Sequence, residues 1–159
     1  MSEFLDLFEA RQIGWKAGRP LWMTLTPLRY RSDRLGAIIH IPAEFVTDGA
    51  SVPRLPLVWL VAGGRGLRSS ALHDYPYQTG YWLLEGRGQH AVPKDLVDAV
   101  FHESLLADPI SGAGPFVARQ MWLGVRLGGR GVWAHKTRSG LLNPIWTAQG
   151  WPRLASYDG

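Results

Sequence analysis

Four side chains, Asp48, His73, Asp74 and Asp98, have the types and placement to do chemistry. Carboxylate and imidazole ligate zinc and other first-row metals, and carboxylates with water suit magnesium or manganese. A divalent metal held by such a set would lower the pKa of a bound water to about 7 and make it a nucleophile. The same residues have a structural use. Asp48 can tie down its own turn, while His73 and Asp74 pair with Arg68 or with backbone at a helix end. A buried Arg–carboxylate–imidazole network of this kind fixes how helices meet strands, and both readings stand at this stage. A Ser51–His73–Asp98 triad is a further arrangement, but no nucleophile-elbow glycines flank Ser51. Asp98 and His102, at i and i+4, have the spacing to chelate and equally the spacing of a solvated helix face.

The elements that must position these groups begin with residues Ser2 to Arg11. They have helix spacing, with Phe4, Leu5 and Phe8 on one side and Ser2 as N-cap. From Leu21 the pattern changes to period two. Leu21, Met23 and Leu25 alternate with Trp22, Thr24 and Thr26, as in a half-buried strand that continues over Leu28 to Arg31. Residues Ser32 to Gly36 are turn chemistry, and Ala37 to Ile41 return as the paired strand. Val46-Thr47-Asp48-Gly49 then enters a turn, after which Ser51 caps a brief helical turn. The Gly-rich stretch 63–66 lacks phosphate-loop spacing and reads as a connector. Ser69 or Ser70 caps a helix that places His73 and Tyr77 on one face, with Pro76 expected to kink or shorten it. Leu84 to His90 reads as a polar loop. Pro93 introduces a helix over Lys94 to Leu106, whose apolar arc is Leu96, Val97, Val100, Phe101 and Leu105. Asp95, Asp98 and His102 project from its other side, with Asp98 at the border of that arc. Pro115 opens a last helix, Phe116 to Leu127, which Gly128-Gly129 ends. The tail beyond Trp133 holds Trp146 and Trp151 among Pro and Gly without periodicity. These readings give an α+β fold: a small N-terminal antiparallel β meander packed against three or four short helices. Residues 1–133 form the single domain, and 134–159 form an irregular C-terminal arm suited to docking on neighbouring subunits.

A chain of 159 residues that is 46% hydrophobic and 19% charged is globular rather than disordered. Eight Trp and five Tyr favour cores and protein interfaces. The net charge of +4 comes from 14 Arg and three Lys against 13 acidic residues. The Arg are scattered rather than gathered in a basic stripe, so a nucleic-acid reader is not expected. Arg119 and Arg126 share a helix face and can grip an acidic surface. The chain has no Cys, which excludes disulfides, thiolate zinc sites and Cys nucleophiles. The acidic, amphipathic start MSEFLDLFEARQ is unlike a signal peptide, and no apolar run approaches the roughly 20 residues of a membrane span.

Four motifs carry a family resemblance: IPAEFVTDGASVPR, ALHDYPY, VDAVF and VRLGGRGVW. Together they resemble the phage and prophage family catalogued as domain of unknown function 1353, over about Leu21 to Trp133. The family pattern falls on Phe45, Thr47, Asp48, Ala50, Ser51, Pro53, His73, Asp74, Tyr75, Tyr77, Asp98 and Phe101. Pro76 departs from it, standing where an aliphatic residue is usual. The resemblance implies a tailed-phage or prophage origin, with synthesis in the host cytoplasm and other phage structural proteins as partners. Two functions follow as expectations. One is a virion- or tail-associated accessory protein. The other is a metal-dependent hydrolase acting on cell wall or a phosphoester through Asp48, His73, Asp74 and Asp98. The His73-Asp74 pair is also similar to that of metal-dependent phosphohydrolases named after the dipeptide. Those enzymes need further His ligands, and upstream only His40, on a strand, is present.

Overall fold

A computed structural model describes residues 1–16, 19–47, 66–108 and 114–139. Asp48, Ser51, Trp146 and Trp151 lie outside them. Among the described residues the fold is α+β, with six strands before the first helix and a hairpin between the first and second helices. The strands are β1 (Glu3–Phe4), β2 (Ala10–Lys16), β3 (Arg19–Thr24), β4 (Leu28–Ser32), β5 (Ala37–Ile41), β6 (Val46–Thr47), β7 (Tyr81–Leu84) and β8 (Gly88–Ala91). The helices are α1 (Leu67–Thr79), α2 (Lys94–Ala107) and α3 (Pro115–Ser139). All described pairings are antiparallel. They build a five-stranded sheet in the order β1-β4-β5-β7-β8 and a three-stranded sheet in the order β2-β3-β6.

The β4–β5 hairpin forms where the sequence places it, with Tyr30 opposite Ile39 and the turn at Asp33 to Gly36. Successive side chains on these strands face opposite ways. Leu28, Tyr30, Ile39 and Ile41 point to the helices, and the Tyr30 hydroxyl donates to Glu103 of α2 at 3.0 Å. Arg29, His40 and Leu83 lie in register across β4, β5 and β7 and form the back of the sheet.

Several expectations are corrected. Ser2 to Arg11 is not a helix. Phe4 packs on Tyr30 with ring centroids 4.7 Å apart. Asp6 accepts from the Arg29 backbone N–H at 2.8 Å and from its guanidinium at 2.8 and 3.0 Å. These long-range contacts hold the segment extended and override local helix spacing. The strand does not run on through Pro27: β3 and β4 belong to different sheets. Its alternation also reverses, because Thr24 is buried while Leu25 is 46% exposed. The Thr24 hydroxyl is satisfied by the Pro42 carbonyl (3.1 Å) and the Phe45 N–H (2.9 Å), which makes its burial cheap. Val46–Thr47 is strand β6, and Asp48 and Gly49 of the expected turn lie outside the described residues. Leu84 to His90 is a β-hairpin, with Gly86 and Gly88 at φ 69° and 68°. The exposed β8 shows no apolar alternation to reveal it.

Helix α1 starts at Leu67, so Ser69 and Ser70 lie inside its first turn, buried, and neither caps it. Its cap is Gly66 at φ 79°, where a Cβ would also lie 2.9 Å from Leu105 Cδ2. Pro76 does not break α1. Proline has no N–H to give the carbonyl four residues back, Leu72. The Trp82 indole of β7 donates to that carbonyl instead, at 3.0 Å. Pro93 and Pro115 open α2 and α3 as expected. Helix α3 does not stop at Gly128-Gly129, and its helical residues reach Ser139.

Candidate functional site

The ten residues from Arg68 to Tyr77 on α1 are all buried, so the helix has no polar face and each polar side chain must find an internal partner. His73 lies between the rings of Tyr77 and Phe101, with centroids at 4.2 and 4.8 Å. Its Nε2 is 3.2 Å from Asp98 Oδ1, and its Nδ1 is 3.6 Å from Asp74 Oδ1. The Tyr77 hydroxyl donates to the same Asp98 oxygen at 3.0 Å. Lys94, one turn before Asp98 on α2, donates to Asp98 Oδ2 at 2.5 Å and to the Val125 carbonyl of α3 at 3.3 Å. The Thr47 hydroxyl of β6 donates to Asp74 Oδ2. One polar cluster therefore joins three helices and the smaller sheet. His73, Asp74 and Asp98 are 2%, 1% and 0% exposed, so the cluster is an interior feature.

The chain's approach to this cluster depends on a glycine. At Gly129 of α3 a Cβ would overlap the Tyr77 hydroxyl and lie 3.1 Å from Lys94 Cε. Trp133, one turn further, packs its ring edge on Tyr77 at 4.9 Å. The glycine that reads in sequence as a helix stop serves here as a close contact.

Electrostatics favour the charged forms of His73 and Asp98. Burial opposes protonation of His73, but the neighbouring carboxylates of Asp74 and Asp98 outweigh it and raise its pKa above the usual imidazole value. Burial also pushes Asp98 up, yet His73 and Lys94 hold its pKa below the ordinary carboxylate value. Burial and the nearby Asp98 push the Tyr77 hydroxyl well up, so it stays a donor. The cluster sets two carboxyl groups, Asp74 and Asp98, against the His73 ring and the Lys94 amine.

The structure brings together three of the four residues singled out by type, His73, Asp74 and Asp98. Asp48 is outside the described residues, as is Ser51. His73 Nε2 faces Asp98 and its Nδ1 lies near Asp74, while the serine of the Ser51–His73–Asp98 arrangement is outside the described residues. Both Asp98 oxygens already accept from donors, and the Lys94 ammonium would repel a cation placed beside them. No three His, Asp or Glu among the described residues are placed to hold a metal ion. Asp98 does not project with Asp95 and His102. Asp98 is interior, Asp95 is exposed near Arg126, and His102 rests against Trp122 at 5.6 Å. Arg68 does not pair with His73 or Asp74. It makes a buried bidentate pair with Asp108, at 2.8 Å through Nε, and lies 4.5 Å over the Phe4 ring.

Sequence reasoning missed Lys94, although its i, i+4 spacing to Asp98 was in view. It also missed Asp108, forty residues from its partner. No local signal points to that pair.

No helix among the described residues is long and apolar enough to cross a membrane. No curated protein and no solved structure matches the chain. A family model covers residues 22–125, a span that contains every member of the cluster. The chain belongs to the family described as "Protein of unknown function (DUF1353)".

Proposed function

We propose that this chain is a bacteriophage- or prophage-encoded accessory protein, a structural or assembly component of the virion or tail. The phage setting rests on the resemblance of its motifs, and with it come synthesis in the host cytoplasm and phage structural proteins as partners. The observation that carries a non-catalytic role is the closure of the cluster. Asp98 is fully buried and both its oxygens accept from His73, Tyr77 and Lys94. A buried carboxylate committed to three internal donors braces the helices that carry them. Mass spectrometry of purified particles tests the role: the protein is expected in them at a fixed stoichiometry, and its absence removes the reading.

One observation favours the hydrolase alternative. Asp74 Oδ1 is buried and has no hydrogen-bond donor among the described residues, with His73 Nδ1 at 3.6 Å. A carboxylate oxygen left in that state is suited to ligation, with Asp48 as a further donor by sequence. Stoichiometric metal in chelator-free protein, with cell-wall or phosphoester hydrolysis lost in Asp48→Ala, would replace the structural reading by this one.

A further inference from the structure

We propose that the outer face of α3 docks into the cleft on the back of the five-stranded sheet of a second copy of this chain, head to tail. Helix α3 buries Ala118, Met121 and Val125 against Phe101 and Leu105 of α2. On its opposite side Phe116, Leu123 and Leu127 follow helical spacing, and Phe116 and Leu127 are 73% and 75% exposed. Large apolar side chains aligned on one exposed face mark an interaction surface. The 25 residues of α3 contain five Arg or Lys and no Asp or Glu. Arg119 is exposed beside the apolar stripe, and Arg126 is held 5.3 Å over the Trp122 ring, 3.4 Å from Asp95. Two such faces carry charge of the same sign, which disfavours a two-fold α3–α3 contact. The surface that fits is apolar and acidic.

The chain itself carries one. Across the back of the large sheet runs a cleft of about 620 Å³, lined by Leu5, Leu7 and Leu83 and rimmed by Glu9 and Glu85. Leu7 is 70% exposed, and both Glu are exposed. Asp6 in the cleft is balanced by Arg29. His40 there has its pKa lowered by burial and by Arg29, so it adds no positive charge at neutral pH. The rim is therefore net negative, and the volume is in the range that takes several large apolar groups. The cleft is on the face of the sheet turned away from the helices, while the α3 face is the outer side of the helix layer. Complementary surfaces on opposite sides of one chain meet between copies, and such heterologous contacts build rings or filaments. The anionic surface of a lipid bilayer fits less well, because Arg119 and Arg126 flank only one edge of the apolar stripe.

This inference rests on the structural-component reading and gives it a partner. Sedimentation velocity of the full chain tests it, at about 0.05 M and about 0.5 M NaCl. Self-association is expected at low salt, about tenfold weaker or more at high salt. Two variants confined to exposed side chains, Arg119→Glu with Leu127→Ser and Glu9→Lys with Glu85→Lys, are first checked for native circular dichroism. Each alone is expected to lose self-association at least about tenfold, and the two mixed to form a 1:1 dimer, because one intact helix face and one intact cleft remain. A monomeric wild type overturns the proposal, as does a cleft variant that associates like wild type, or a mixture that stays monomeric. Wild type that floats with phosphatidylglycerol vesicles while remaining monomeric also overturns it, in favour of a lipid surface. A chain found in particles yet monomeric in solution sinks this inference alone. A self-associating chain absent from particles sinks only the virion reading.

Discussion

His73 is the residue whose surroundings make the sharpest demand on pH. Its folded pKa is raised above the ordinary 6.5, so its stabilising charge contacts are complete below that value and are lost as pH rises through the folded pKa. Asp98 is lowered below 3.8, so its contribution is present above that value and is lost as pH falls through the folded pKa. The pair therefore contributes most between those two limits. His40 and His102 act in the opposite sense. Both are held below 6.5, first by burial and then by Arg29 and Arg34, and they remove stability as pH falls. Comparison with a variant separates these effects. The stability gap between wild type and His73→Gln, from urea unfolding, should be wide near about pH 5.5 and narrow by about pH 9. A gap that does not change with pH contradicts the charged imidazolium. A second buried charge site gives an independent prediction. Arg68→Ala leaves the Asp108 carboxylate without its guanidinium and should destabilise by about 3–5 kcal/mol, read from the urea midpoint; less than about 1 kcal/mol would place the pair among exposed ones. The types of His73, Asp74 and Asp98 were legible in sequence, and so was their convergence. Arg68 was matched to the wrong carboxylate, because a partner forty residues away leaves no periodic trace.

Secondary elements were legible where local pattern and tertiary packing agree. The alternation in β4 and β5, the turn between them, and the prolines that open α2 and α3 all follow from local rules. Elements held by a distant partner were read wrongly. The first eleven residues have helix spacing but are pinned extended by Asp6 on Arg29. Helix α1 survives its proline because an indole from the next strand takes the orphaned carbonyl. That account makes a coupled prediction. Trp82→Phe should cost about 1–3 kcal/mol for the unsatisfied buried Leu72 carbonyl. Pro76→Ala restores a helical donor to that carbonyl, so the cost should shrink in the double variant. Simple additivity of the two substitutions, measured by thermal unfolding, would refute the compensation. Helix α3 shows the converse failure. Gly128-Gly129 reads as a stop, yet Gly129 is in the helix because a side chain there would strike Tyr77. Gly129→Ala should therefore destabilise by about 1–3 kcal/mol, although alanine is the better helix former by about 1 kcal/mol; a gain in melting temperature would contradict the close approach.

At the scale of the whole molecule, the fold class was readable and the division into two sheets was not. The break comes at Pro27, where one apparent strand becomes two in different sheets, and one sequence offers no register between distant strands. The His73 cluster is what ties these parts together. It takes Thr47 from the small sheet, His73, Asp74 and Tyr77 from α1, Lys94 and Asp98 from α2, and the Val125 carbonyl from α3. A brace of that reach should be felt in global unfolding. The most direct measurement is the urea unfolding free energy of Asp98→Ala against wild type. Uncovering His73 and Lys94 in the interior is predicted to remove about 3–5 kcal/mol in a single cooperative transition. A variant within about 1 kcal/mol of wild type would contradict the brace and free these residues for chemistry.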